Sequence, residues 1–222
     1  MESFSFGQSV ISAKGPCYVI AEIGNNHQGN LDTALKMIQQ AALCGVNAVK
    51  FQKRDNRVLY TKTLYNKPYE NENSYGVTYG EHREFLEFDR DEYLELKKCA
   101  EQNKVEFMCT VFDYPSIDFL EKIGITSYKF ASGDVTNIPL LKTVAKLGKP
   151  LFLSIATATF EEVKLAYEAI ISLNKNLVLL HCTAGYPTDY PNLNLKVIES
   201  FKREFPAAII GYSAHDNGIV AA

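Results

Sequence analysis

Apolar residues gather along the chain in seven short runs, at residues 18–23, 46–51, 105–111, 127–131, 150–155, 176–182 and 207–212. Most are apolar at consecutive positions rather than alternate ones. That pattern suits strands covered on both faces, as in a parallel sheet wrapped by helices. Between the runs the spacing turns helical. Asn30 stands where a helix N-cap belongs, ahead of "LDTALKMIQQAALCG", and Gly45 offers the stop. Thr159 and Glu162 make a capping box for "FEEVKLAYEAIISL". Further helices are predicted over 89–103, 116–123, 138–147 and 194–205.

Strand followed by helix, repeated throughout, predicts an α/β fold with right-handed crossovers, either an open doubly wound sheet or a (β/α)8 TIM-type barrel. The polar residues at the strand ends separate the two. They are Glu22, Lys50 with Gln52, Thr110, Lys129 with Ser132, Ser154, His181 with Thr183, and Ser213 with His215. In an open sheet only strands beside the switch point furnish a site, whereas in a barrel every strand end faces one mouth. All seven runs end this way, so the expectation is one barrel domain over residues 1–222, truncated after its seventh strand. The segment "FSFGQSVISAKGP" reads as a hairpin plugging the barrel's bottom. The connection 53–88, with Tyr60, Tyr65, Tyr69, Tyr75 and Tyr79, is long for a compact domain and reads as a loop covering a substrate.

Composition narrows the function. A formal charge of -3 without a basic run argues against nucleic acid as a partner. No secretory leader or run of 18 apolar residues is seen, which gives the expectation of a soluble, cytoplasmic protein without a membrane partner. Five scattered cysteines form neither a disulfide framework nor a zinc motif, and are expected reduced. No Gly-x-Gly-x-x-Gly or P-loop follows a strand.

Lys50 and Lys129 each interrupt an apolar strand, where a buried ammonium is costly unless it meets an anion. A substrate anion is one answer. Internal pairing with Glu22 or Asp134 is the other. Ser132, Gly133 and a helix start over 135–139 would add hydroxyl and backbone N–H donors, suiting a phosphate. Glu22 is a candidate proton carrier or a lysine's partner. His181 and His215 are candidates for metal or acid–base work, although a lone histidine is more often a satisfied core residue; His27 and His82 read as structural.

Five ordered motifs, "IAEIGNNHQGNLDTALKMIQQAALCGVNAVKFQ", "YGEHREFLEF", "YKFASGDVTNIPLL", "LLHCTAGYPT" and "GYSAHDNG", resemble the sialic acid synthase family, which includes legionaminic and pseudaminic acid synthases. The resemblance implies a (β/α)8 barrel followed by a small antifreeze-like domain, and condensation of phosphoenolpyruvate with an N-acylated, mannosamine-type amino sugar at a divalent metal, manganese or alternatively magnesium. It implies phosphoenolpyruvate contacts for Lys50, Thr110, Lys129, Ser132 and Ser213, and a sugar contact for Tyr186, with Gln52 also expected at substrate. His215 falls on a metal ligand. Glu22, with Asp134, is expected to manage the proton and the water; His181 has no metal role.

The chain departs from the family pattern at "SIAT" (154–157) in place of Ser-Thr-Gly-Met, at Ala184 and at Ala214. The eighth strand, with a second metal histidine, and the C-terminal domain are not in the chain. The reading is therefore a truncated enzyme, a homodimer when full length and inactive as it stands. Two alternatives remain. One is another phosphoenolpyruvate-condensing synthase, whose phosphorylated acceptor would need an extra basic cluster not evident in the sequence. The other is a non-catalytic barrel that binds a sugar or a partner protein.

Overall fold

A computed structural model describes residues 3–7 and 9–221. The chain opens with an antiparallel hairpin, β1 (Ser3–Phe6) and β2 (Ser9–Ser12), as the sequence predicted. The remainder follows in the order β3 (Ile20–Gly24), α1 (Leu31–Leu43), β4 (Ala48–Lys53), α2 (Asn56–Leu59), α3 (Lys62–Tyr65), α4 (Tyr79–Phe85), α5 (Arg90–Gln102), β5 (Glu106–Val111), α6 (Tyr114–Lys122), β6 (Tyr128–Phe130), α7 (Ile138–Ala145), β7 (Leu151–Ser154), α8 (Phe160–Ile171), β8 (Leu177–Cys182), α9 (Val197–Glu204) and β9 (Ile209–Ser213). Seven parallel strands alternating with helices are the architecture of a truncated (β/α)8 barrel. No helix among the described residues is long and apolar enough to cross a membrane.

Contacts divide the chain into two compact units, Tyr18–Ile125 and the pair of segments 1–17 and 126–222. In the first, β3, β4 and β5 pair in parallel and in sequence order. Consecutive buried residues in "AVKF" of β4 and "FMCTV" of β5 explain the unbroken apolar runs, since helices cover the strands' outer side. The Asn30 side chain caps α1 by accepting from the Thr33 N–H at 2.8 Å. Capping boxes Thr78–Glu81 and Asp89–Glu92 start α4 and α5.

The 53–88 connection is more structured than a covering loop. It carries α2, α3 and α4, and its tyrosines pack on one another: Tyr79 meets Tyr60 at 5.1 Å and Tyr69 at 5.4 Å, and Tyr75 stacks on Phe85 at 4.7 Å. Offset and edge-on aromatic pairs of this kind hold a connection together without a sheet or long helix.

In the second unit β6, β7, β8 and β9 again pair in parallel and in order. Phe6 of the hairpin is buried and sits 5.7 Å from Phe152 of β7. The Thr159–Glu162 capping box starts α8 as predicted. One helix starts later than expected. Asn194 lies at φ +51°, a left-handed conformation that a helix cannot pass through, so α9 begins at Val197 rather than at residue 194. Ser132–Asp134 form a single 3-10 turn, and α7 begins at Ile138, as predicted, behind the Asn137 cap.

Candidate active site

In the 18–125 unit the parallel register sets Glu22 of β3 beside Lys50 of β4, and Gln52 of β4 beside Thr110 of β5. Lys50, Gln52 and Thr110 were expected at substrate and Glu22 as a proton carrier, and the strands bring the four together. Lys50 is 5% exposed, and its Nζ donates to Thr110 Oγ1 at 2.8 Å and forms an ion pair with Glu22 Oε2. Gln52 Nε2 donates to Glu22 Oε1 at 3.3 Å. The internal pairing weighed from sequence is therefore made. Glu22 keeps its side chain 46% exposed, and β3 breaks register with β4 just after it, between Glu22 and Gly24.

The network continues into residues that sequence reasoning passed over. Arg54 Nη2 donates to Gln52 Oε1, and its guanidinium lies 3.9 Å from the Phe112 ring centroid. Glu87 Oε2 accepts from Lys53 Nζ at 3.0 Å and from the Arg54 N–H at 3.2 Å. Burial pushes the Glu87 carboxyl above its usual range, while the Lys53 ammonium pulls it back. Two charged residues followed the strand-end Gln52, and only the sequence distance to Glu87 hid the partnership.

In the other unit, Ser132 and Asp134 share the 3-10 turn after β6. The N–H groups of Asp134 and Val135 donate to Ala131 and Ser132 carbonyls, so the turn offers fewer free donors than a helix start would. Ser213 lies opposite Cys182 in the β8–β9 register. Cys182 is buried, hydrogen-bonds with the Ser213 hydroxyl, and has its Sγ 3.4 Å from His215 Nδ1. Its thiol is pushed up by burial and pulled back by the Lys129 charge, which puts Lys129 in the same neighbourhood. Tyr186 stands over His215, ring centroids 4.2 Å apart. Cys182 is thus central to a group that its scattered position in sequence did not suggest. At the end of β7, Ser154 Oγ is buried without a hydrogen-bond partner. Thr157, in the departing "SIAT" stretch, adopts φ +59°, a strained conformation for a β-branched residue.

The histidines divide as their surroundings dictate. His181 is buried and its Nε2–H donates to the Leu193 carbonyl at 2.7 Å, a satisfied core residue. His27 is buried and stacks on Phe88 at 4.3 Å. His82 is buried in the tyrosine cluster, 4.7 Å from Tyr69. His215 Nδ1 lies 3.3 Å from the Thr183 carbonyl and 3.4 Å from Cys182 Sγ. Both contacts are made by Nδ1, which leaves Nε2 as the ring nitrogen that could bind a metal. Among the described residues, however, no three His, Cys, Asp or Glu side chains gather to hold a metal ion. The described residues supply one imidazole rather than a metal site, and the expected manganese or magnesium finds no complete ligand set in them.

The profile of the NeuB family matches residues 37–222, most of the chain. The chain belongs to the NeuB family. This NeuB chain is 38% identical over 209 residues to a human protein named N-acetylneuraminate-9-phosphate synthase, covering 94% of the chain and 58% of the relative. It is 37% identical over 210 residues to N,N'-diacetyllegionaminic acid synthase of Legionella pneumophila, covering 92% of the chain and 59% of the relative. It therefore spans less than two thirds of the length of these relatives. Its fold matches that of an N-acetylneuraminic acid synthetase from Leptospira borgpetersenii, solved with citrate, at a TM-score of 0.87 and 31% identity, over 99% of this chain and 72% of that one.

Proposed function

We propose that this NeuB chain carries the substrate-binding strand ends of a sugar-acid synthase, which condenses phosphoenolpyruvate with an N-acylmannosamine-type aldehyde to give a nonulosonate and inorganic phosphate. The names of the relatives, synthases of neuraminate phosphate and of a legionaminate, support this product class. The observation that carries the reading is the buried Lys50 ammonium, hydrogen-bonded to Thr110 and paired with a carboxylate that is half open to water. A substrate anion can replace or join Glu22 there without any rearrangement of the strand.

Phosphoenolpyruvate brings about three negative charges, and fixed donors aimed at them both bind and orient it. Lys50, Thr110, Lys129, Ser132 and Ser213 are assigned to its phosphate and carboxylate, Gln52 and Tyr186 to the sugar. C3 of phosphoenolpyruvate then forms a bond to the aldehyde carbon, whose oxygen takes a proton and becomes a hydroxyl. Water adds at C2 and gives up a proton, and phosphate leaves as the C2 ketone forms. Glu22 and Asp134 are the acid and base assigned to these two proton transfers. A divalent metal would supply Lewis-acid polarisation of the aldehyde, with the His215 imidazole as a ligand.

Calorimetric titration with phosphoenolpyruvate tests the reading. The expected result is saturable binding that Lys50→Met and Lys129→Ala each weaken by roughly tenfold or more, as loss of a charge-assisted contact should. Binding at parental strength in both variants would remove the assignment.

A further inference from the structure

The Gln52 amide lies between two groups that dictate which way round it stands. On one side is the Arg54 guanidinium, which only donates, so Gln52 Oε1 faces it. On the other is Glu22 Oε1, 3.3 Å away, an oxygen of the carboxylate paired with the Lys50 ammonium; it accepts, so Gln52 Nε2 faces it. An amide turned over would set oxygen against oxygen and nitrogen against nitrogen. Arg54, Gln52, Glu22 and Lys50 therefore make one chain in which every donor meets an acceptor, and bonds in such a chain strengthen one another.

Arg54 is itself held. Its side chain is 10% exposed, its guanidinium lies 3.9 Å from the Phe112 ring centroid, and Nη1 stands 4.0 Å from Glu87 Oε1. The other oxygen of Glu87 accepts from the Arg54 N–H at 3.2 Å and from Lys53 Nζ at 3.0 Å, which anchors the carboxylate in turn. Stacking, ion pairing and donation to Gln52 use a flat group with several donors in three directions at once. A lysine carries one point charge and cannot do all three. Gln52 is half-buried, and the last torsion of a glutamine is broad, so without Arg54 its amide can turn over.

We infer that Arg54 is a positioning residue for the sugar site, locking the Gln52 amide so that Gln52 meets the ligand as a donor only. Its oxygen is spent on Arg54 and one Nε2 hydrogen on Glu22, which leaves the second Nε2 hydrogen for the ligand. The sugar atom that meets Gln52 is therefore an oxygen that accepts. Arg54 touches neither substrate in this scheme; it acts through Gln52. The donor role rests on the assignment of Gln52 to the sugar, whereas the lock rests on the hydrogen bonds alone.

Calorimetric titration with N-acetylmannosamine, without phosphoenolpyruvate so that no turnover occurs, tests this in a double-mutant cycle. Arg54→Lys and Arg54→Met are each expected to weaken sugar binding by roughly three- to tenfold, the worth of one hydrogen bond. Gln52→Glu keeps a partner for Arg54 but offers the sugar an acceptor, and should lose at least as much. In a Gln52→Leu background, Arg54→Met should cost nothing further. Phosphoenolpyruvate affinity in the Arg54 variants should stay within about twofold of the parental value, since Lys50 and Thr110 hold each other without Gln52 or Arg54. A merely structural arginine would instead weaken both ligands and add its loss to that of Gln52→Leu. That result overturns the proposal, as does parental sugar affinity in both Arg54 variants or in Gln52→Glu. The lock also has a readout without ligand. The side-chain N–H protons of Gln52, identified by NMR through their loss in Gln52→Leu, should exchange with water roughly tenfold or more faster in both Arg54 variants than in the parent. Equal exchange overturns the proposal. If the parent binds no sugar, the assignment of Gln52 to the sugar falls and the donor role with it, while the exchange rates still decide whether Arg54 locks the amide.

Discussion

Lys50 and Thr110, 60 residues apart in sequence, are joined by a 2.8 Å hydrogen bond between adjacent parallel strands, with Glu22 closing the other side of the ammonium. Thr110 is 1% exposed, so Lys50→Met would strand its hydroxyl at a cost of about 1 kcal/mol. Glu22 would turn to water at little cost, being half exposed already. The variant is expected to fold, to lose about 1 kcal/mol in urea denaturation, and to bind phosphoenolpyruvate at least roughly tenfold more weakly. A variant that fails to fold would show that Lys50 is held for structure rather than for an anion.

Gly24 guards that arrangement. It sits at φ +56°, and a Cβ there would lie 3.0 Å from Glu22 Oε1 and 3.2 Å from Gln52 Nε2. Gly24→Ala should therefore cost about 1–2 kcal/mol from the backbone alone. It should also push Glu22 and Gln52 apart. Chemical denaturation and phosphoenolpyruvate titration of the same variant check both effects; parental stability would contradict the described turn.

His27 makes stability depend on acid. Burial pushes its pKa from the ordinary 6.5 down to about 4, against a smaller opposing contribution from a hydrogen bond with the Gly24 backbone. Between these values the unfolded chain takes up a proton that the folded chain refuses. Stability is thus lost as pH falls from 6.5 toward 4 and levels off below, by at most about 1.4 kcal/mol per pH unit from this residue. The difference in unfolding midpoint between parent and His27→Phe, followed from pH 7 to pH 4, should grow in the variant's favour. A constant difference would rule the mechanism out.

Thiol reactivity should follow burial. Cys17 and Cys44 are exposed, whereas burial pushes the Cys109 thiol up to about 12 and also raises Cys182. Because the thiolate is the reacting form, iodoacetamide at pH 8 is expected to label Cys17 and Cys44 first and Cys109 last, as read by mass spectrometry. Early labelling of Cys109 would contradict its place in the core.

Much of the site's raw material was legible in the sequence because it sat where a strand ends. Lys50, Gln52 and Thr110 break apolar runs, and an ionisable or polar residue in such a run has few physical excuses. Arg54 and Glu87 were not legible. Each looks like an ordinary surface charge in a polar connection, and only the folding of 53–88 into three short helices brings Glu87 back to Lys53 and Arg54. Cys182 was overlooked for a related reason: a buried cysteine is usually inert packing, and its contact with His215 depends on the β8–β9 register.

By itself, the sequence determined the strand–helix alternation, the caps at Asn30 and Thr159, and the strand-end residues, because periodicity and capping are local and are written within a few positions. Tertiary structure alone decided which polar groups are satisfied. It exposed Glu22 at the end of β3, turned the Asp134 and Val135 N–H groups onto carbonyls of their own turn, and left the Ser116 and Ser154 hydroxyls buried with no hydrogen-bond partner. Hydrogen-bond satisfaction is a property of neighbours in space, and chain order does not carry it.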